Sequence, residues 1–438
     1  MADSSSRSRV VVASLVGTAI EFYDFYIYGT AAALVFGKVF FPAFSAAAGT
    51  FASLGTFAVG FVARPVGALL FGHFGDRLGR KRMLVVSLLM TGTATVAIGL
   101  VPPFTVIGVW GPVALVVLRF VQGIGLGGEW GGAVLLATEY APPERRGLYS
   151  AFPQLGPALG FVLGNSLYLM LSAGMDAPAF ESWGWRVPFL ASAVLLALGL
   201  YIRVRIGETP VFAAAARAGV PARVPLAELL RRQPGVLLLA TSSFILAFTM
   251  FYTITTFCLS YATSTLKIPR TTMLVEAIIA AAVMGAATLW FAFCSDRYGR
   301  RMLCIAAAVA SATWAFPLFW LLRTRQPVLV GVSMVVGLVC FALLYGPMGA
   351  YLPELFRVRY RYSGASFAYS AAGIIGGGAG PLIATRTLAE SGSTTAVSWY
   401  IIGVAAVCLV CLVLLPETAT ADFADGLALS DQDRFAVS

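Results

Sequence analysis

The sequence predicts an all-α membrane protein of twelve transmembrane helices arranged as two six-helix, pseudo-symmetric bundles. Three observations carry that prediction. First, 59% of the 438 residues are hydrophobic and only 11% charged, with a mean hydropathy of +0.85. A soluble domain carries about 25% charged residues, so this composition cannot coat a water-exposed surface. Second, at about 20 apolar residues per span, the chain has room for roughly a dozen helices. Third, a polar loop recurs. Gly72-His73-Phe74-Gly75-Asp76-Arg77-Leu78-Gly79-Arg80-Lys81-Arg82 follows the second apolar run, and Ser295-Asp296-Arg297-Tyr298-Gly299-Arg300-Arg301 follows the eighth, Asp296 lying 220 residues after Asp76. Two parallel six-helix repeats are the pattern of an alternating-access carrier with its site between the halves.

Apolar runs bounded by charge, Pro and Gly place the first six spans at 10–37, 47–71, 83–102, 112–138, 147–173 and 186–203. The second six fall at 236–263, 271–293, 302–322, 327–352, 362–386 and 395–415. The N-terminal MADSSSRSR runs into the first span without a small-residue cleavage site, so that span is expected to be retained. The one long polar interruption, 204–235, carries Arg205, Arg217, Arg223, Arg231 and Arg232. The expected organisation is an N-terminal bundle at 1–203, a cytoplasmic linker at 204–235, a C-terminal bundle at 236–416 and a cytoplasmic tail at 417–438. A second echo sets Glu144-Arg145-Arg146-Gly147 before the fifth span against Glu354 and Arg361 to Gly364 before the eleventh.

The net charge of +10 does not point to nucleic acid, because the charges sit in short clusters between apolar runs. With both termini inside, the external loops hold seven of the 30 Lys and Arg: Lys38, Arg186, Lys267, Arg270, Arg323, Arg325 and Arg386. Arg64 and Arg119 fall within spans, and the remaining 21 are cytoplasmic, which sets the orientation by the positive-inside rule. The six cysteines lie almost entirely in apolar spans without metal-ligand spacing and read as packing residues. No metal site is expected.

Charges inside a bilayer are expensive and mark functional positions. Glu21 and Asp24 share one face of the first span, and Tyr28 extends it. In the fourth span, Arg119, Gln122 and Glu129 fall within roughly an 80° arc at about 100° per residue, a face that cannot meet lipid. Asp24 paired with Arg119 is the sharper expectation. A carboxylate in a dry cavity tends to hold its proton and a nearby cation to expel it, so moving Arg119 would switch Asp24 between proton-loaded and empty. The proton-coupling candidates are therefore Asp24, Glu21, Arg119 and Glu129, with a permanent structural ion pair as the competing reading, above all for Glu21.

Arg119 also suits a substrate carboxylate. The expected substrate-binding set is Arg119, Gln122, Tyr23, Tyr28, Trp130, Gln154, Asn165, Tyr252, Tyr345 and Tyr369. One available cation fits a monoanion or zwitterion better than a tricarboxylate. Any single tyrosine here packs more often than it binds. The repeated loop reads as mechanical, with Asp76 and Asp296 capping a helix terminus or pairing with an arginine of the opposite half. Its expected partners in a cytoplasmic latch are Arg77, Arg80, Glu139, Arg146, Arg297, Arg300, Glu354 and Arg361. Arg64, near the cytoplasmic end of the predicted second span, reads as snorkelling, and the lone His73 as part of the loop.

The doubled G-x-x-G-D-R-x-G-R-K/R loop resembles the major facilitator superfamily over essentially the whole chain. Gly17 to Phe25, Arg64-Pro65-Val66-Gly67 leading into the first loop, and Arg119-Phe120-Val121-Gln122-Gly123 running to Gly132 are similar to its metabolite–proton symporter family, whose members carry shikimate, 2-oxoglutarate, citrate, proline or betaine. Ser182 to Phe189 looks nearest to the shikimate-type branch. The resemblance implies the major facilitator fold, a monomer in the cell inner membrane, and proton-coupled uptake of a small organic acid, with a shikimate-like monocarboxylate favoured. Sugar–proton symporters of the superfamily are similar in pairing a first-span Asp with a fourth-span Arg.

No P-loop, nucleophile–base pair or cofactor motif is present, so no cofactor is expected and an ion gradient supplies the energy. A membrane enzyme lacks its machinery, and a receptor lacks a sizeable signalling segment. Proton-driven antiport of a drug or metabolite is the nearer competitor, partly favoured by Gly156-Pro157-Ala158-Leu159-Gly160 in the fifth span, whereas Arg119 favours an anion.

Overall fold

A backbone in hydrocarbon must satisfy its own N–H and C=O groups, so only helices or a closed barrel can span. The computed structural model describes residues 4–78, 80–127, 129–139, 141–205, 225–357 and 361–419. Most of the predicted linker and tail, 206–224 and 420–438, lies outside the described residues, as do the side chains of His73, Asp76, Arg77, Arg80 and Glu139.

The described residues form long helices that we number α1 to α12. In the first half, α1 runs over Ser4–Ala31, passes through a π turn at Ala32–Phe36 and ends at Gly37–Phe40. It is followed by α2 (Ala46–Leu78), α3 (Arg80–Leu100), α4 (Trp110–Leu126, resumed at Glu129–Glu139), α5 (Arg146–Gly174) and α6 (Val187–Arg205). In the second half are α7 (Pro234–Ser264, with a π turn at Thr253–Phe257), α8 (Arg270–Tyr298) and α9 (Arg300–Arg323). They are followed by α10 (Pro327–Glu354), α11 (Arg361–Ser391, with a π turn at Gly373–Ala379) and α12 (Thr394–Leu414). Ten of these segments are long and apolar enough to cross a membrane, and α1 and α3 complete the twelve. Pro234 and Pro327 open their helices where an N–H has no intrahelical partner. The π turns of α1 and α7 stand about 220 residues apart, the spacing of the repeated loops.

The end of the second span differs from that expected from the sequence. Helix α2 continues seven residues past the predicted end at 71, because nothing in Gly72 to Leu78 breaks a helix. Helix α4 is described in two segments, to Leu126 beside the run of glycines and again from Glu129, with residue 128 outside the described residues.

Within the first half α1 packs on α5, α2 on α4, and α3 on α4 and α6. Within the second, α10 packs on α8 and α9, and α12 on α7 and α9. The halves meet where α5 lies against α8 and α10, α2 and α4 against α11, and α1 against α7. This seam depends on missing side chains. A Cβ on Gly147 would stand 2.7 Å from the Ala292 carbonyl oxygen, and one on Gly377 would stand 2.6 Å from the Phe61 ring.

Candidate functional site

Asp24 is buried at the middle of α1, and its surroundings come from three other helices of the same half. Ser192 Oγ of α6 donates to Asp24 Oδ1 at 2.5 Å, and Thr95 of α3 approaches the same carboxyl. Gln122 of α4 donates through Nε2 to the Asp24 carbonyl at 3.1 Å and to Thr95 Oγ1 at 2.7 Å, while its Oε1 accepts from Arg119 Nη1. Asp24 and Arg119 therefore do not form the direct ion pair expected from the sequence; Gln122 bridges them. The reason is that Arg119 is drawn to aromatic faces. Its guanidinium carbon lies 3.9 Å from the Phe25 ring centroid, 4.3 Å from Tyr28 and 4.8 Å from Phe57. Gly60 makes room for it, since a Cβ there would meet Arg119 Nε at 2.6 Å.

The sequence reading of Arg64 is corrected by the extension of α2. Seven more helical residues are about 10 Å of rise, enough to place Arg64 inside the bundle rather than at its rim. It is 3% exposed, with its guanidinium carbon 4.2 Å from the Phe25 centroid and 4.8 Å from Phe61. It lies near enough to Tyr26, Tyr252 and Tyr369 to act on their hydroxyls electrostatically. No hydrogen bond or ion pair reaches Arg64 among the described residues, and Arg119 Nε and Nη2 are likewise buried without a partner. Each cation–π contact is worth about 0.5–2 kcal/mol. Burying an unpaired ion costs several kcal/mol even after relaxation, so the rings alone do not balance two guanidinium groups.

The other candidates divide into three groups. Tyr252, Tyr345 and Tyr369 line a narrow cavity between the halves, with room for about one water molecule. Tyr26 and Pro157 contribute from the first half, and Phe248, Phe251 and Phe341 from the second. Trp130 stacks on Tyr369 across the seam, centroids 4.0 Å apart at 4°, and Gln154 Nε2 donates to the Tyr345 carbonyl at 2.8 Å. Tyr23, Tyr28 and Asn165 instead hold the first half together. Their contacts are Tyr23 Oη to the Pro188 carbonyl, Tyr28 Oη to Thr56 Oγ1, and Thr30 Oγ1 to Asn165 Oδ1. Glu129 lies beside Ser87 of α3 at 3.5 Å, the helix that Gln122 also meets at Thr95, and Glu21 is buried one turn before Asp24; neither is free. Sequence reasoning missed Tyr26 and the phenylalanines because apolar aromatics are abundant in every span.

On the Arg300 side the repeated loop is built as a network. Asp296 accepts from the Gly147 and Leu148 N–H groups at 2.8 and 3.0 Å, capping α5 of the opposite half, and pairs with Arg300 Nη2 at 2.9 Å. Arg300 Nε stands 3.4 Å from Glu354, which also accepts from Thr418 Oγ1 at 2.6 Å. Arg361 Nε donates to the Phe356 carbonyl, Arg146 lies near Glu354, and Arg297 is exposed beside Tyr298. Among the described residues no cluster of His, Cys, Asp and Glu is placed to hold a metal ion.

Two six-helix halves closing on a small cavity, with an acid, an amide and two guanidinium groups buried beside it, define a polytopic membrane carrier. The chain belongs to the Major Facilitator Superfamily, whose family model matches residues 14–381. It is 45% identical over 419 residues to the inner membrane metabolite transport protein YhjE of Escherichia coli K12, covering 94% of this chain and 95% of that one. It is 38% identical over 387 residues to the shikimate transporter of the same organism, covering 88% of each. The partially occluded, inward-open structure of the xylose transporter XylE from E. coli matches 95% of this chain and 99% of that chain, with a TM-score of 0.75 at 19% identity, a likeness of fold. These relatives are transporters and not enzymes, and the chain is a multi-pass membrane protein.

Proposed function

We propose that this protein is a proton-coupled symporter that imports a small organic acid by alternating access. The observation that carries the reading is the Arg119–Gln122–Asp24 connection, in which one amide joins a cation to the main-chain carbonyl of a buried acid and to Thr95, the residue that approaches its carboxyl. In the proposed cycle Asp24 takes a proton in the outward-open state and a substrate carboxylate draws Arg119 off Gln122. The freed amide then rearranges against Asp24 and Thr95, so that occupancy at one group is felt at the other. The Asp296 cap on α5 holds the cytoplasmic side shut until the halves rock. The shikimate transporter among the relatives supports an organic acid, and YhjE supports the inner membrane; both termini are taken as cytoplasmic, from the positive-inside bias, and the monomer as working unit. Two buried guanidinium groups weigh against antiport of a cationic drug.

The test is proton movement in vesicles loaded with a pH dye, offered shikimate, 2-oxoglutarate, citrate, lactate, proline and betaine in turn. Inward proton flow with one compound, lost in Asp24→Asn, is the expected result. Flow that survives in Asp24→Asn moves the proton site to Glu129 or Glu21. No inward flow with any compound, together with export of lipophilic cations down a preset proton gradient, would replace symport with antiport.

A further inference from the structure

Sequence reasoning counted one cation available to the substrate; the fold supplies two. Arg64 of α2 and Arg119 of α4 both rest on the ring of Phe25. At 4.2 Å and 3.9 Å from one centroid, their guanidinium carbons stand within 8.1 Å of each other. We propose that Arg64 and Arg119, both held against Phe25, form a two-point anion site that selects substrates bearing two acidic groups over those bearing one.

The charge inventory supports this. Asp24 directly precedes Phe25, the ring against which both arginines lie, and its carboxyl is turned to Ser192 and Thr95 rather than to either arginine. Glu21 and Glu129 are engaged elsewhere and are not free to neutralise the pair. With Asp24 protonated, the cluster holds two positive charges. A monoanion leaves one of them buried and unpaired, whereas a dianion cancels both, which is the condition for easy reorientation through a low-dielectric interior. Guanidinium groups also suit carboxylates in particular, because their forked N–H donors match two oxygens at once.

Access to Arg64 is built into the seam. Phe61, the second ring under Arg64, packs on Gly377 of α11, and Tyr252, which lines the cavity, lies 6.3 Å from Phe25. Moving α11 and α7 away from the first half therefore uncovers Phe61 and Phe25, the rings against which the arginines lie. Arg64 is thus assigned as a specificity-determining residue, and the inference rests on the anion-carrier reading above.

The experiment separates the two. Thermal unfolding of the purified full-length protein is titrated with succinate, butyrate and succinamate, which share a four-carbon chain and carry two, one and one negative charges. Succinate is expected to bind at least about tenfold more tightly than either monoanion, a difference of about 1.4 kcal/mol. Arg64→Gln should remove that preference by weakening succinate alone, and Arg64→Lys should restore part of it. Equal affinity of the wild type for all three acids, no binding of any, or a succinate affinity unchanged in Arg64→Gln would overturn the proposal. The wild-type comparison stands even if Arg64→Gln fails to fold. Succinate binding without proton flow in vesicles would sink the symport reading and leave the two-point site intact.

Discussion

The two halves share a scaffold but not a filling. Both open on a helix with a π turn, α1 and α7, at positions about 220 residues apart, and π turns recur in helices at functional positions. Yet α7 carries no charged residue from Pro234 to Ser264, and α10 none before Glu354. The first half buries Asp24, Arg64, Arg119 and Gln122; the second presents Phe248, Tyr252, Tyr345 and Tyr369 to the cavity between the halves. A bilayer penalises each buried ion, and here Asp24 and Arg119 share hydrogen bonds through Gln122 while Arg64 rests on aromatic rings. The aromatic half then offers a surface that can slide over the substrate without breaking strong polar contacts. The network on the Arg300 side inverts this division: there the described charges of the second half, Asp296, Arg300 and Glu354, do the binding, and the first half offers backbone N–H groups at Gly147 and Leu148, with Arg146 near Glu354.

If that division of labour is real, substitutions in the polar half should change what is coupled, and those in the aromatic half only how well it binds. The largest effect is expected for Asp24→Asn, which should abolish substrate-driven proton entry in vesicles while substrate still stabilises the purified protein against heat. Next is Gly147→Val. Its side chain would collide with the Ala292 carbonyl and Ser295, forcing α5 from α8 on the Asp296 side. Loss of uptake with an intact melting transition, and faster labelling of a cysteine introduced at that seam, would mark a carrier unable to close inside. Unchanged uptake would show the seam to be more yielding than drawn.

Asp296→Asn should act in the same direction but more weakly. Losing a charged cap costs about 0.5–2 kcal/mol, so a few-fold shift toward the inward-open state is expected, read by the same labelling rate. The smallest change is expected for Tyr345→Phe in the aromatic half. One hydroxyl is worth about 1 kcal/mol net at most sites, so KM should rise no more than about fivefold with proton coupling unaltered. A coupling defect in Tyr345→Phe would break the division between the halves.

How far the site was legible follows from the same physics. Asp24, Arg119 and Gln122 announced themselves as polar residues where polar residues are costly, and the fold brings all three together. Tyr252, Tyr345 and Tyr369 were legible as polar-tipped aromatics on apolar helices, and they do line the cavity. Tyr23, Tyr28 and Asn165 look identical in sequence, yet their polar groups are spent inside the first half on Pro188, Thr56 and Thr30. Nothing local distinguishes the two groups, because the difference lies in which neighbouring helix each residue faces.

Composition and periodicity by themselves determined that the chain spans a membrane about a dozen times and that it repeats. Both follow from transfer free energies and helix geometry, which are local properties. Only the tertiary structure decided the charge arrangement. It placed Arg64 inside the bundle by extending α2, set Glu129 beside Ser87 of α3, and put Gln122 between Asp24 and Arg119. Each outcome depends on competition among distant groups for one partner: aromatic faces against a carboxylate for Arg119, a serine hydroxyl against a guanidinium for Asp24. Such competition is settled by packing, which no single helix encodes.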